Sequence, residues 1–391
     1  MSEPIRLGFT SGFSGQAYAQ MVANQFLGAQ MAVAEFNEAG GAEGREIILL
    51  KADDAMDQQK AEAVAKKLIF EERAQAIVGA ISAASQLGTN KITKLAGVPF
   101  VSCSQSNAIT TKEHLGPFTF HIAPRPFMFA KLVGRWGVSH LGKRWFFLIP
   151  DYTWGYEVFD SLSAEVKKLG GEIVGCLKIP FGATPGDYAK HFPEIRNLKP
   201  DVLSVTNLGQ DQVSFAEAAS KDGLIKDISI LLTISDLLIV DQIPLNQLVG
   251  MYFGINFYWG LEKTSPISQK FVEGFRERYS GALPTGYAGY AYDGTKELLT
   301  AIKNIGAYPI DPKAITLFLE GRTFNNYKGD EWWRPCDHQN FQDIYILRFK
   351  GPEESTAHYD IAEIIDIVRW DLEIELSCEE LGHADKKVGH F

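Results

Sequence analysis

The chain has 391 residues, 46% hydrophobic and 22% charged, with a formal net charge of −10. That length exceeds what one ordinary core organises, so two domains are expected. The longest apolar runs, such as residues 145–150, are far too short to span a bilayer, and an acidic balance with pI near 5.4 argues against a nucleic-acid partner.

The opening residues Ser2-Glu3-Pro4-Ile5-Arg6 lead straight into a strand and show no signal-peptide pattern. Either the protein is cytoplasmic or a signal has been removed. The four cysteines, Cys103, Cys176, Cys336 and Cys378, have no C-x-x-C or metal-ligand spacing. An even count permits disulfides without demanding them, and buried free thiols are the alternative. Cys336 and Cys378 flank the same terminal region and are the pair most to be expected.

In chain order, residues 5–10 form a strand. Residues 21–39 have helical periodicity, with Ala29, Ala32, Val33 and Phe36 on one face and a stop at Gly40-Gly41. A strand at 46–52, a helix at 58–72, and strands at 76–78 and 98–102 complete a β-α-β-α-β-α-β series. Such alternation implies a parallel sheet covered by helices on both faces. The pattern restarts with a helix at 127–140, then a strand (145–150), helix (156–169), strand (172–178), helix (188–198), strand (202–205), helix (212–222) and strand (228–233). A strand at 250–254, helices at 266–279 and 287–304, and a late strand at 341–349 follow. The fold class is therefore α/β, in two halves.

Residues 76–107 carry the clearest functional signal. One apolar run reaches Gly79 and breaks into Ile81-Ser82-Ala83-Ala84-Ser85; the next ends in Ser104-Gln105-Ser106-Asn107. In open α/β sheets ligands sit outside the carboxyl ends of strands, where helix N-termini offer N–H groups to carboxylates or phosphates. No nucleophile is evident, so a binder is indicated before an enzyme. Aromatics in turns after strands (Phe13, Tyr18, Tyr152, Trp154, Phe257, Tyr258 and Trp259) either pack in cores or line a cleft for an apolar or aromatic ligand.

Several motifs mislead. Residues 137–144 imitate a phosphate-binding loop, but Arg144 replaces the required Ser or Thr and the segment runs from helix to strand. Gly8, Gly12 and Gly15 lack dinucleotide spacing and read as a flexible turn that lets backbone approach a ligand. Cys336-Asp337-His338 and His383 do not form a metal or catalytic signature. No cofactor and no metal are expected.

The order of elements, together with Ile5-Arg6-Leu7-Gly8, Ser11-Gly12, Gly28-Ala29, Phe36-Asn37-Glu38-Ala39-Gly40-Gly41, Asp53-Asp54, Val78-Gly79, Gly88, Val98-Pro99-Phe100-Val101-Ser102 and Asp337-His338-Gln339, resembles the type I periplasmic solute-binding proteins of ABC transporters, in the Leu/Ile/Val-binding group. The resemblance covers nearly the whole chain. It implies two doubly wound parallel-sheet lobes joined by three crossovers, with residues 1–121 plus 252–330 in lobe one and 122–251 plus 331–391 in lobe two. It further implies a periplasmic monomer whose signal has been removed, hinge closure on a ligand, and delivery to a membrane permease.

By the same resemblance lobe one holds a ligand carboxylate through Ser104 and Ser106 and through the Ser82-Ala83 turn. The hydroxyl expected in that turn falls on Ala83, so Ser82 or Ser85 would substitute. Tyr18 falls near a ligand-packing position. Trp154 replaces a tyrosine that closes from lobe two, which suggests a flatter or aromatic ligand, or a smaller pocket. The partner of a ligand ammonium aligns with Ser235 or Asp236. Asp236 would suit an amino acid, whereas Ser235 would suit an aromatic or aliphatic acid. Asn207, Gln210 and Asp211 would add polar contacts, Phe257 a ring, and Arg125 a carboxylate partner or a hinge or surface ion pair. The expected function is capture of a small carboxylate-bearing solute (a branched-chain or other amino acid, or an aromatic or aliphatic acid) without chemistry. The alternative is a cytoplasmic ligand sensor on the same fold.

Overall fold

The computed structural model describes residues 3–14, 18–233, 235, 237–240, 242–306 and 309–383. The chain begins β1 (Ile5–Ser11), α1 (Ala19–Glu38), β2 (Ile47–Asp53), α2 (Gln58–Lys66), β3 (Ala76–Gly79), α3 (Ala83–Ala96), β4 (Phe100–Ser102) and β5 (Thr119–His121). These strands form one sheet in the order β2-β1-β3-β4-β5, parallel throughout. Period-two alternation explains why it is buried on both faces. Ile5, Leu7, Phe9, Val78 and Val101 join one apolar cluster, while Ile77 and Phe100 join another with Leu68 and Ile92.

The chain continues through α4 (Pro126–His140), β6 (Arg144–Pro150), α5 (Thr153–Lys168), β7 (Glu172–Ile179), α6 (Pro185–Ala189), α7 (Phe192–Asn197), β8 (Val202–Val205), α8 (Gln210–Asp222), β9 (Ser229–Leu232), α9 (Leu237–Val240) and β10 (Tyr252–Ile255). Next come α10 (Pro266–Arg278), α11 (Gly286–Ile305), α12 (Pro312–Leu319), the short strands β11 (Thr323–Phe324), β12 (Glu331–Trp333) and β13 (Asn340–Phe341), then β14 (Ile344–Phe349) and β15 (Ala362–Val368). The second large sheet has the order β15-β14-β10-β9-β8-β6-β7. It is parallel except for β14 and β15, which enter antiparallel.

Two compact units result. Unit one holds the chain up to Arg125, Leu261–Gln342 and the segment from Leu376; unit two holds Pro126–Gly260 and Asp343–Glu375. The observed units differ from the expected lobe boundaries at four places: residues 122–125, 252–260, 331–342 and the segment from 376. Residues 252–260 lie in unit two because β10 pairs with β9 and β14. Residues 331–342 lie in unit one because β12 pairs with β11 and β13, and Gln339 bridges His121. A fourth passage, at 375/376, returns the C-terminal segment to unit one. There the expected Cys336–Cys378 disulfide forms, with Cα atoms 6.0 Å apart, while Cys103 (buried) and Cys176 (exposed) are free.

Two further expectations change. The single helix over 188–198 is two, because Pro193 opens α7 and Pro185 opens α6 behind a Thr184–Asp187 capping box. The single strand over 341–349 breaks at Gln342 and Asp343, where the chain leaves unit one. Gln342 donates to Ile122 O (2.8 Å), and Asp343 accepts from Trp370 N (3.0 Å). The helix-to-strand reading of 137–144 holds: α4 ends at His140 and β6 starts at Arg144.

In unit one α1 packs on α11 through Gly28, where an added Cβ would lie 2.0 Å from Ala288 O. Asn24 stands one turn away and accepts from Thr285 N (2.9 Å) and Thr285 Oγ1 (2.8 Å) at the start of α11. Because the obstacle is helix backbone, Gly28→Val is expected to push the helices apart and destabilise unit one by about 1–3 kcal/mol, the usual cost of overpacking. A urea or thermal unfolding midpoint equal to that of the wild type would contradict this packing.

Candidate functional site

The carboxyl ends of the parallel strands gather the expected residues, in each unit separately. In unit one β1 and β3 approach closely at their ends. Gly79 has φ +129°, and a Cβ there would lie 2.2 Å from Thr10 O. The turn that follows caps α3, since Ser82 Oγ accepts from Ser85 N at 3.0 Å. Ser85 Oγ in turn donates to Asp54 Oδ1 (2.8 Å), which also accepts from Met56 N (2.8 Å). Ser82 and Ser85 are thus engaged with protein, and Ala83 is exposed in the first turn of α3. Asp54 is fully buried, and its Oδ2 has no hydrogen-bond partner among the described residues. Burial raises its carboxyl above the ordinary 3.8, opposed by the bonds from Met56 and Ser85 and assisted by the Asp53 charge.

The loop after β4 is anchored from several sides. Cys103 N donates to Gly79 O at 2.9 Å, and Ser102 Oγ to Gln86 Oε1 at 2.6 Å. Gln105 Nε2 donates to Tyr290 Oη (3.2 Å), and Ser106 Oγ accepts from Ala108 N (3.3 Å). Ser104 differs. Its carbonyl faces His121 Nε2 at 2.5 Å, but its buried hydroxyl has no partner among the described residues. Thr10 Oγ1, also buried, shares that condition. Arg125 is 3% exposed and donates from Nη1 to Thr110 Oγ1 at 3.1 Å, so it is no surface ion pair. Tyr18, at the start of α1, is 45% exposed.

In unit two the turn after β6 stacks Tyr152 on Trp154, with centroids 6.1 Å apart and planes 18° apart. Trp154 is half-buried. After β8, Asn207 is fully buried with neither side-chain amide atom partnered among the described residues, and neighbouring Thr206 Oγ1 is equally unpartnered. Ser235, after β9, is buried and donates to Gln212 Oε1 (3.2 Å), while Gln212 Nε2 has no partner among the described residues. Asp236 lies outside the described residues. Asp211 accepts from Gly182 N at 2.9 Å, and burial raises its carboxyl. Gln210 is exposed. Phe257 is fully buried, while Tyr258 and Trp259 both donate to Tyr359 O.

Sequence reasoning singled out neither Thr10, Thr206 nor Gln212, and it took Asp54 only as a family mark. The available signal was their position in the last residues of a strand (Thr10), directly after one (Asp54, Thr206) or in the first turn of the helix that follows (Gln212). It competes with every other polar loop residue, and only burial separates them.

Two doubly wound units thus each carry buried polar side chains, unpartnered among the described residues, near the carboxyl ends of their strands. The sequence profile described as periplasmic binding protein matches residues 4–355, and the chain belongs to that family. An "Amino acid binding protein" of Pseudomonas aeruginosa is 26% identical over 311 residues, covering 78% of this chain and 80% of that one. Among solved structures, an amino acid ABC transporter substrate-binding protein from Pseudomonas fluorescens Pf-5 superposes with TM-score 0.88 at 22% identity, covering 98% of this chain and 99% of that one. A solute-binding protein of an ABC transporter from Rhodopseudomonas palustris BisB5, in complex with 3,4-dihydroxybenzoic acid, superposes at 0.78 and 18% identity, covering 95% and 99%. At these identities the solved structures establish the fold.

Asp54 yields a pH prediction. Its folded-state value lies above the ordinary 3.8, so the native state holds the proton more tightly than the unfolded chain. The stability it contributes is complete below that ordinary value and lost as pH rises through the folded one. Asp54→Asn should therefore lose less melting temperature than the wild type between about pH 4 and about pH 7. Parallel declines in the two proteins would contradict the assignment.

Proposed function

We propose that this protein captures a small carboxylate-bearing solute by closing its two units on it, and delivers that solute outside the cytoplasm to the permease of an ABC importer. One observation carries the reading: both units place buried polar side chains without described protein partners at the carboxyl ends of their strands, Ser104 in one and Asn207 in the other. An unsatisfied buried polar group costs about 1–3 kcal/mol, so such groups are sensibly retained only where something else completes them. The Ser104–Ser106 loop and the first turn of α3 suit an anion, through hydroxyls and helix N–H groups. Tyr152 and Trp154 suit a flat or apolar body. Membership of the periplasmic binding protein family supports transport as the context, and the named solutes of the relatives, amino acids and a hydroxylated benzoic acid, span the chemistry considered.

Ser104 is placed first among the carboxylate contacts, ahead of Ser106, whose hydroxyl already accepts from Ala108 N. Ser82 and Ser85 act through the cap of α3 and Asp54. Asn207, Gln212 and Ser235 read the far end of the solute, and Trp154 covers its face. The protein acts as a monomer.

A thermal-shift panel of leucine, valine, benzoate and 4-hydroxybenzoate tests the class, since a native-state binder raises the melting temperature by mass action. No shift from any carboxylate at millimolar concentration would sink the reading. For whichever solute binds, Ser104→Ala should weaken calorimetric affinity about ten-fold or more, as expected for a lost hydrogen bond to a charged group. Trp154→Ala should weaken an aromatic acid more than an aliphatic one, and the reverse order would contradict the flat-body assignment.

A further inference from the structure

His121, at the end of β5, is 1% exposed and lies directly behind the Ser104 loop. Its Nδ1 is 2.7 Å from Gln339 Oε1, and its Nε2 is 2.5 Å from the Ser104 carbonyl oxygen. A peptide carbonyl only accepts. The Gln339 amide is equally committed, because its Nε2 donates to Ala123 O (2.9 Å), Asn340 O (2.8 Å) and His121 O (3.4 Å). Turning that amide over would set its oxygen against those carbonyls. Both imidazole nitrogens therefore face acceptors, whereas a neutral ring has a single N–H.

We infer that His121 is a protonation-linked positioning residue for the Ser104 loop: with two ring protons it closes on the Ser104 carbonyl, and with one it releases that carbonyl. The neutral ring keeps its proton on Nδ1, because the Gln339 amide is fixed by its donor bonds while the Ser104 peptide sits in a loop. The Nε2 lone pair then opposes the Ser104 oxygen and turns the peptide that carries the proposed solute contact. Burial disfavours the charged ring and pushes His121 down to about 4, with the Arg125 guanidinium adding to the shift and the Asp337 carboxylate opposing it. Asp337 is itself clasped by Arg334 (2.8 and 2.5 Å). The other ionisable neighbours are His338, held by Glu320 Oε1 and Thr119 O (2.9 Å each), and the Cys103 thiol, which burial holds neutral. A bound carboxylate at Ser104 would add a negative charge near the ring and raise its proton affinity, so binding takes up a proton and acid strengthens binding. This last coupling rests on the proposed function; the latch itself does not.

The test uses the full chain with 15N-labelled histidine rings, titrated without ligand from about pH 8 to about pH 2.5, which brackets the depressed value. The expected result is one ring, identified by its absence in His121→Asn, passing from the Nδ1–H form to the doubly protonated form. The backbone amide of Gln105, which shares the peptide bond of the Ser104 carbonyl, should shift with the same midpoint. A ring that keeps one protonation state throughout, or that titrates while the Gln105 amide stays still, overturns the latch. Should His121→Asn not fold, the shared midpoint in the wild type decides alone. Saturating benzoate or leucine, whichever binds, should then raise the midpoint by about one unit, and an unmoved midpoint overturns the coupling. If neither binds, the proposed function is in question while the ligand-free titration still decides the latch.

Discussion

The amide of Gln339 ties residues more than two hundred positions apart. It donates to Ala123 O and Asn340 O and accepts from His121 Nδ1. Through it, and through the bond from His121 N to His338 O, the late segment of unit one lies alongside β5, a three-residue strand at the edge of the five-stranded sheet. An edge that short makes few ladder bonds of its own, and covering it also removes a template for unwanted pairing. The covering segment is fixed in turn by the Arg334–Asp337 clasp, by Arg334 Nη1 on Leu376 O (2.8 Å), and by the Cys336–Cys378 disulfide. The loop after β4 inherits its position from this arrangement, because His121 stands between Gln339 and Ser104.

Interior polar groups sort into two kinds. Those that join elements are partnered: Asn24 with Thr285, Asn326 with Asp293 (2.9 Å), His338 with Glu320, and Arg322 with Glu297 (2.7 Å). Others have open valences among the described residues, and five of these lie at or soon after strand ends: Thr10, Ser104, Thr206, Asn207 and Gln212. The first kind stabilises by a modest net amount and specifies geometry, while the second costs free energy until a partner arrives. A protein that only needed to fold would gain from replacing Asn207 with an apolar side chain. Its full burial with no described partner is the physical reason to place recognition there on the proposed reading.

Periodicity made the scaffold legible. Runs such as Phe146 to Ile149, buried on both faces, and helices closed by Gly97 and Gly223 in left-handed caps, follow from local rules. What local rules missed was non-local. β14 and β15 read as ordinary strands or not at all, because their antiparallel entry is set by pairing with β10. The chain's return to unit one at 375/376 leaves no composition shift, and the disulfide that accompanies it was readable only as one pairing among several. At the site the serine turns were visible as sequence, but their hydrogen bonds were not. Ser82 and Ser85 look as available as Ser104 until the cap of α3 and the buried Asp54 carboxylate claim them. His121 gave no signal, since a lone histidine on an apolar strand looks the same whether it packs or titrates.

The engaged carboxylates of unit two bear on what the far end of the solute can be. A buried ammonium needs a carboxylate free to pair with it. Asp211 accepts from Gly182 N, and Asp151 accepts from the Tyr156 hydroxyl. The open valences among the described strand ends of that unit are neutral: a hydroxyl on Thr206, both ends of the Asn207 amide, and the Gln212 amino group. Neutral donors and acceptors discriminate by matching hydroxyl or amide edges, and a site built to bond such an edge rejects an analogue lacking it far more strongly than an apolar pocket rejects a missing methylene. On the proposed reading the two units therefore divide the work. Unit one meets charge, with serine hydroxyls and the first turn of α3, and does so for any small carboxylate. Among its described residues unit two offers neutral polar groups and a stacked pair of rings, which on that reading set which body the carboxylate carries.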